Sequence, residues 1–145
     1  MTDGRRPMMQ TPMRAAIARR MVQSKREAPH FYVSTEVELD ALLAHAAAQN
    51  EGRARGDRLT VTAYFVRAVT LTLAEHSAFN ATWRGETLEL VDAINVGVAI
   101  AVEDGLIAPA ILDCAALDVE TIGERLRDLV ARSRTGRFRA AEINE

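Results

Sequence analysis

The 145-residue chain has one cysteine, four prolines and eight glycines. It also has no apolar run near the roughly eighteen residues that a membrane-spanning helix requires. The lone Cys114 excludes a disulfide framework and a thiolate metal cluster, and it suits a reducing compartment. So few glycines and prolines, in a chain that is 48% hydrophobic and 26% charged, describe a globular protein that buries a core. The net charge is only −2, from 18 basic and 20 acidic residues, which removes the general electrostatic argument for a nucleic-acid or anionic-membrane partner. The length suits one domain and is short for two. A soluble cytoplasmic protein is the expectation.

The charge is unevenly placed. Residues 1–35 carry a net +5, with Arg14, Arg19, Arg20, Lys25 and Arg26 among their basic groups, residues 36–120 carry −9, and residues 121–145 carry +2. The basic start has two readings. An organelle presequence is one, but this segment runs straight into strand-like sequence without a cleavage signal. The other is an arm or first helix whose basic face meets acidic surface, a neighbouring subunit or an anionic ligand.

Thr11-Pro12 reads as a helix cap followed by proline in the first turn, and Met13, Ile17 and Met21 recur every fourth residue until Pro29, so a helix is expected over residues 12–27. Phe31, Val33, Thr35, Val37 and Leu39 then alternate with His30, Tyr32, Ser34, Glu36 and Glu38, the period of a strand with one dry face. Asp40 is placed to cap a short Ala-rich helix to Gln49. Residues 51–58, with Gly52 and Gly56 among charges, read as a mobile loop. Thr60 or Thr62 caps a longer helix with Phe65, Val69 and Leu73 on one stripe and Val66 and Leu71 widening it.

A small hairpin follows, from Asn80-Ala81-Thr82-Trp83 through Arg84-Gly85-Glu86 to Thr87–Val91. Ile94, Val96, Val98, Ile100 and Val102 then alternate with Asn95, Gly97, Ala99 and Ala101, a strand whose small face lets another element or a ligand approach closely. Asp104-Gly105 marks a turn into a second apolar strand, Leu106–Leu112, which Pro109 makes an edge or an irregular strand. Asp118 caps a last helix, with Leu117 and Ile122 placed as a hydrophobic staple and Gly136 at its end. Interleaved helices and strands suggest an α/β domain with a mixed sheet flanked by helices.

The chemistry-bearing residues are sparse. His45 and His76 sit on or beside predicted helices among charges and read as surface. His30 starts a strand after a proline, beside two aromatics, but no Ser, Cys or Asp in sequence stands out as its partner. Three scattered histidines and one cysteine have no metal-ligand spacing, so no metal is expected. Neither GxGxxG nor GxxxxGKS occurs. Cys114 reads as a buried structural thiol, and Asp113 and Asp118 as turn and cap. Composition and spacing alone thus reach an α/β domain with no complete catalytic constellation.

Segments in register supply more. Met13–Met21, Ser24-Lys25, Pro29–Val33 with Glu36-Val37, Phe65–Val69, Phe79–Trp83, Ile94–Val102 and Asp104–Ile111 together resemble the catalytic domain of the dihydrolipoyl acyltransferases of 2-oxoacid dehydrogenase complexes, from about residue 11 to residue 143. The resemblance implies a chloramphenicol-acetyltransferase-like fold, assembled as a trimer with active sites between subunits, where coenzyme A and the acyl acceptor meet in a tunnel. It implies a base from an HxxxDG motif and an oxyanion donor from a T-x-S-N-x-G stretch. It divides the chain into an arm, residues 1–10, and the N-terminal portion of the catalytic domain, residues 11–145. It places His30, Tyr32, Asn80, Trp83, Asp104, Gly105, Leu106 and Pro109 along the tunnel or interface, and Arg14 at the cofactor's phosphates, while for each of these a purely structural place remains open.

Neither HxxxDG nor T-x-S-N-x-G occurs in the 145 residues. The resemblance therefore covers the front of the domain, with no catalytic residue in this chain, and lacks lipoyl and subunit-binding domains. Three expectations follow. One is a split acyltransferase, in which a second chain carries the C-terminal half and its histidine, and a lipoyl group enters only on another protein. Another is a non-catalytic scaffold or assembly subunit. The last is an inactive fragment. Without a lipoyl domain, a free biosynthetic substrate is also compatible.

Overall fold

The computed structural model describes residues 6, 8–103 and 105–143. Five helices, α1 (Pro12–Glu27), α2 (Asp40–Gln49), α3 (Val61–Glu75), α4 (Val119–Ser133) and the single turn α5 (Ala140–Ile143), frame six short strands. The strands are β1 (Ala81–Arg84), β2 (Thr87–Leu90), β3 (Val96–Gly97), β4 (Ile100–Val102), β5 (Gly105–Ile107) and β6 (Ala110–Ile111). Every strand pair among the described residues is antiparallel.

Helix α1 begins and ends as its sequence dictates. The Thr11 hydroxyl accepts from the Arg14 amide at 3.3 Å, Pro12 opens the first turn, and Lys25 and Arg26 sit at the negative end of the helix dipole. None of its residues is buried. The following segment differs from expectation: residues 28–39 form no ladder, and residues 29–38 are all exposed. Alternation makes a segment competent to be a strand, but a strand exists only beside another, and no described strand lies along this one. The next helix starts one residue early, with Asp40 inside it and no side chain capping its end.

The loop after α2 also departs from the mobile segment expected. Asn50 closes its base, donating to the Leu59 carbonyl at 2.9 Å and accepting from the Leu59 amide at 2.7 Å. Arg53 makes two hydrogen bonds to the Glu120 carboxylate, at 2.8 and 2.5 Å. Asn50 thus joins the two ends of the loop, and Arg53 holds it to α4.

The core lies where α3 and α4 pack on the long hairpin. From α3 it takes Ala63 and Val66, from α4 Ile122, Leu126 and Leu129, and from the hairpin Ile100 and Ile111. Close approach of α4 depends on Gly123, where a Cβ would stand 2.6 Å from Leu59 Cδ2. The stripe expected on α3 is corrected here: Ala63, Val66 and Thr70 are buried, whereas Phe65, Val69 and Leu71 are about half exposed. A helix apolar on most sides has no unique inner face in sequence, and its neighbours choose one. Asp118 caps α4 as expected, accepting from the Thr121 amide at 2.8 Å, and Leu117 and Ile122 are both buried beside it.

The two long strands expected over residues 94–102 and 106–112 form one hairpin with an interruption. The pairs Val96↔Ile111 and Gly97↔Ala110 lie in the same register as Ile100↔Ile107 and Val102↔Gly105. Between them, the Val98 amide donates to the Pro109 carbonyl at 3.0 Å. Pro109 has no N–H to return, so the ladder breaks into β3–β6 and β4–β5.

Candidate functional site

Eight of the nine positions singled out in sequence fall into three places. Gly105, Leu106 and Pro109 lie along β5 and the approach to β6, facing helix α1. Gly105 has a φ of +156°, and a Cβ there would meet Ile17 Cδ1 and Met13 Sδ at 3.2 Å each, so the glycine is what lets α1 rest on the hairpin end. Pro109 is fully buried, whereas Leu106 is half exposed. With Met13, Ala16, Ile17, Arg20 and Met21 of α1 and Ile143 of α5, Leu106 and Pro109 line a largely apolar trough of about 440 Å³. Arg14 lies exposed on the first turn of the same helix. Asp104 lies outside the described residues.

His30 and Tyr32 lie on the exposed segment beyond α1. The His30 Nδ1 hydrogen donates to the Ala28 carbonyl at 2.7 Å, which fixes the ring beside the helix end. Tyr32 accepts a hydrogen bond from Lys25, whose ammonium stands 4.7 Å from the ring centroid. Neither side chain lines the trough.

Asn80 and Trp83 belong to the β1–β2 hairpin. Asn80 donates through Nδ2 to the carbonyls of Val91 and Ala93, at 2.5 and 3.1 Å, and so ties the base of the hairpin to the strand that follows. Trp83 is 39% exposed. The other two histidines are apart from all of these. His45 stands edge-on to Tyr64 with ring centroids 5.8 Å apart, and His76 closes the end of α3 through its backbone. Among the described residues, no group of three His, Cys, Asp or Glu is placed to hold a metal ion. Cys114 is buried, donating from Sγ to the Ile111 carbonyl at 3.1 Å, and burial pushes its thiol above the usual range, which disfavours the thiolate.

The trough therefore joins parts of the chain nearly a hundred residues apart. Gly105 gave a local signal for it, since a glycine after an Asp marks a tight turn. Arg20 and Ile143 gave none, because their placement depends on how α1 and α5 settle on the hairpin. What the arrangement offers chemically is an apolar trough with one guanidinium, that of Arg20, on its α1 wall. None of its lining residues is a histidine, cysteine, aspartate or glutamate.

A family model described as the 2-oxoacid dehydrogenases acyltransferase (catalytic domain) matches residues 3–145. The chain is 32% identical over 135 residues to the dihydrolipoyllysine-residue acetyltransferase component of the pyruvate dehydrogenase complex of Rhizobium meliloti, covering 90% of this chain and 30% of that protein. It is 30% identical over 135 residues to the lipoamide acyltransferase component of the branched-chain alpha-keto acid dehydrogenase complex of Bacillus subtilis, covering 92% and 32%. Among solved structures, a probable dihydrolipoamide acetyltransferase from Listeria monocytogenes superposes with a TM-score of 0.86 at 29% identity, covering 97% of this chain and 61% of that one. The chain thus spans about a third of the length of these curated relatives.

Proposed function

Because the chain belongs to the family of 2-oxoacid dehydrogenase acyltransferase catalytic domains, we propose that it forms the front part of an acyltransferase. That enzyme moves an acyl group between coenzyme A, or a carrier thioester, and an acceptor thiol of the dihydrolipoyl type or a hydroxyl. The observation that carries this reading is the family match over residues 3–145.

Acyl transfer needs a base to make the nucleophile and a donor for the oxyanion. The base takes the proton from the acceptor thiol, the thiolate adds to the thioester carbonyl carbon, and the tetrahedral oxyanion collapses with expulsion of the leaving thiolate, which takes the proton back. The 145 residues contain neither HxxxDG nor T-x-S-N-x-G, and we assign both to a second chain that completes the domain. The part left to this chain is positioning. In this reading the trough between α1 and β5, lined by Leu106, Pro109 and Arg20, takes the substrate's apolar arm, and Arg14, exposed on the first turn of α1, meets the cofactor's phosphates. Gly105 seats α1 on the hairpin end, and His30, Tyr32, Asn80 and Trp83, which lie outside the trough, are left in this reading to the interface with the completing chain. In the same reading, the complete assembly is a trimer.

The test is reconstitution. The chain is co-purified with a protein bearing both motifs, and acyl-CoA consumption is followed with dihydrolipoamide as acceptor. The chain alone is expected to be inert, and the pair active until the partner's HxxxDG histidine is replaced by alanine. Full activity of this chain by itself would overturn the assignment, and a stable inert trimer of the pair would favour a scaffold.

A further inference from the structure

We propose that Lys25 is an acylation site, its ε-amine taking an acyl group from an acyl-coenzyme A whose apolar arm lies in the trough between α1 and β5. The inference rests on the reading of that trough as the place of the acyl-coenzyme A arm, and it adds a covalent acceptor that belongs to this chain.

Lys25 is the single lysine among 18 basic residues, and the rest are arginines. A guanidinium stays protonated and is no nucleophile, whereas an ε-amine in its neutral form attacks carbonyl carbon. Lys25 is thus the one basic side chain that an acyl donor can load. Arg53, Arg84 and Arg132 each pair with a carboxylate. Lys25 instead meets a neutral phenol, donating to the Tyr32 hydroxyl with its nitrogen 4.7 Å from the ring centroid. Both side chains are exposed, Tyr32 at 79%. A surface lysine ordinarily samples many rotamers, but this one is held at its tip, where a reagent can reach it.

The donor's place adjoins it. Met13, Ile17 and Met21 recur every fourth residue along α1 and line the trough, and Lys25 is the next member of that series. Residues four apart on a helix are neighbours on one face, so Lys25 stands about 6 Å beyond Met21 along the helix axis. Met21 is the last residue of α1 in the trough wall. The trough therefore ends where the turn bearing Lys25 begins. The step balances without a further reagent. Solvent takes one proton from the ammonium, and the neutral amine adds to the thioester carbonyl carbon. The C–S bond breaks as the amide is formed, and the departing coenzyme A thiolate takes up the second proton of the amine. The amide carries no charge, so loading removes the cation from the face of Tyr32.

Mass spectrometry tests this on the 145-residue chain incubated with acetyl-CoA and then cleaved after arginine, which leaves Lys25 in the peptide of residues 21–26. Acetylation of Lys25 is expected to saturate with acetyl-CoA and, at low concentration, to run about tenfold or more faster than in a synthetic peptide of residues 20–27. Tyr32→Phe keeps the ring, loses the hydroxyl and should slow the reaction. Leu106→Trp fills the trough and should bring the rate down to that of the peptide, with circular dichroism checking that both variants are folded. A rate equal to the peptide's, a rate that rises with acetyl-CoA without saturating, or the full rate in folded Leu106→Trp would overturn the proposal. Equilibrium dialysis of coenzyme A with Lys25→Arg, which cannot be acylated, tells this failure from that of the trough reading. Binding to this variant beside an unreactive Lys25 in the natural chain sinks the acylation site alone, and absence of binding sinks both.

Discussion

Arg132 and Glu142 meet face to face through two parallel hydrogen bonds, each 2.8 Å long, and the carboxylate also accepts from the Arg139 amide at 2.7 Å. Glu142 is 6% exposed, while Arg132 keeps one edge to solvent and adds Asp128 at 2.7 Å. This pair clamps α5 to the end of α4. The Arg132 guanidinium holds the Glu142 carboxyl down at about 2. Because the folded value is depressed, the pair's contribution is whole above the ordinary glutamate range and is lost as the pH falls through that range toward about 2. Glu142→Gln should therefore cost about 3 kcal/mol at neutral pH and show a shallower loss of stability between pH 5 and 2 than the natural chain. Urea melts at a series of pH values would check both, and parallel curves for the two proteins would refute the clamp.

Gly123 should resist replacement even though alanine is the better helix former. The gain in propensity is about 1 kcal/mol, but the added Cβ would sit 2.6 Å from a Leu59 side chain that is itself 4% exposed. Gly123→Ala is expected to be destabilising by about 1–3 kcal/mol through overpacking, and the double variant with Leu59→Val should recover part of that loss. Thermal unfolding of the two proteins decides it.

Gly105→Ala should loosen helix α1 in particular. Its φ of +156° and its 3.2 Å approach to Met13 and Ile17 oppose any side chain, a cost of about 1–3 kcal/mol. Limited proteolysis should cut near Ala28 faster in the variant, with the core fragment left intact. Equal cleavage rates would show that α1 does not depend on this seat.

Asp118→Ala removes the acceptor for the Thr121 amide and should cost about 1 kcal/mol. Hydrogen bonding from Thr121 lowers the Asp118 carboxyl below its usual range, so the cap, too, weakens as the pH falls through that range. Amide exchange at Thr121 and Ile122 should rise in the variant while exchange at Leu129 barely changes.

What was legible in sequence was what neighbours in the chain decide for one another. Thr11 and Pro12 start α1, Asp118 with Leu117 and Ile122 starts α4, and Pro109 interrupts its strand, all through contacts within a few residues. The alternation from Phe31 to Leu39 was equally clear, yet it speaks only of faces and says nothing of a partner strand. Phe65 and Val69 went to the outer side of α3 because α4 and the hairpin claim Ala63 and Val66. The Arg132–Glu142 clamp crosses the turn at Gly136 and had no local signature. At the candidate site, Gly105, Leu106 and Pro109 were singled out by the family resemblance, with the turn and the interrupted strand as their local signs, whereas Arg20 and Ile143 become neighbours of that turn only through the fold.

Helix α1 has no buried residue and is joined to α2 by the twelve residues 28–39. Such a tether reaches about 40 Å when extended, so a detached α1 would remain at a local concentration on the order of millimolar around its seat at Gly105. The helix therefore behaves as a ligand carried by its own receptor. Its occupancy depends on linker length as much as on contacts, and anything that captures residues 31–39 elsewhere shortens the leash.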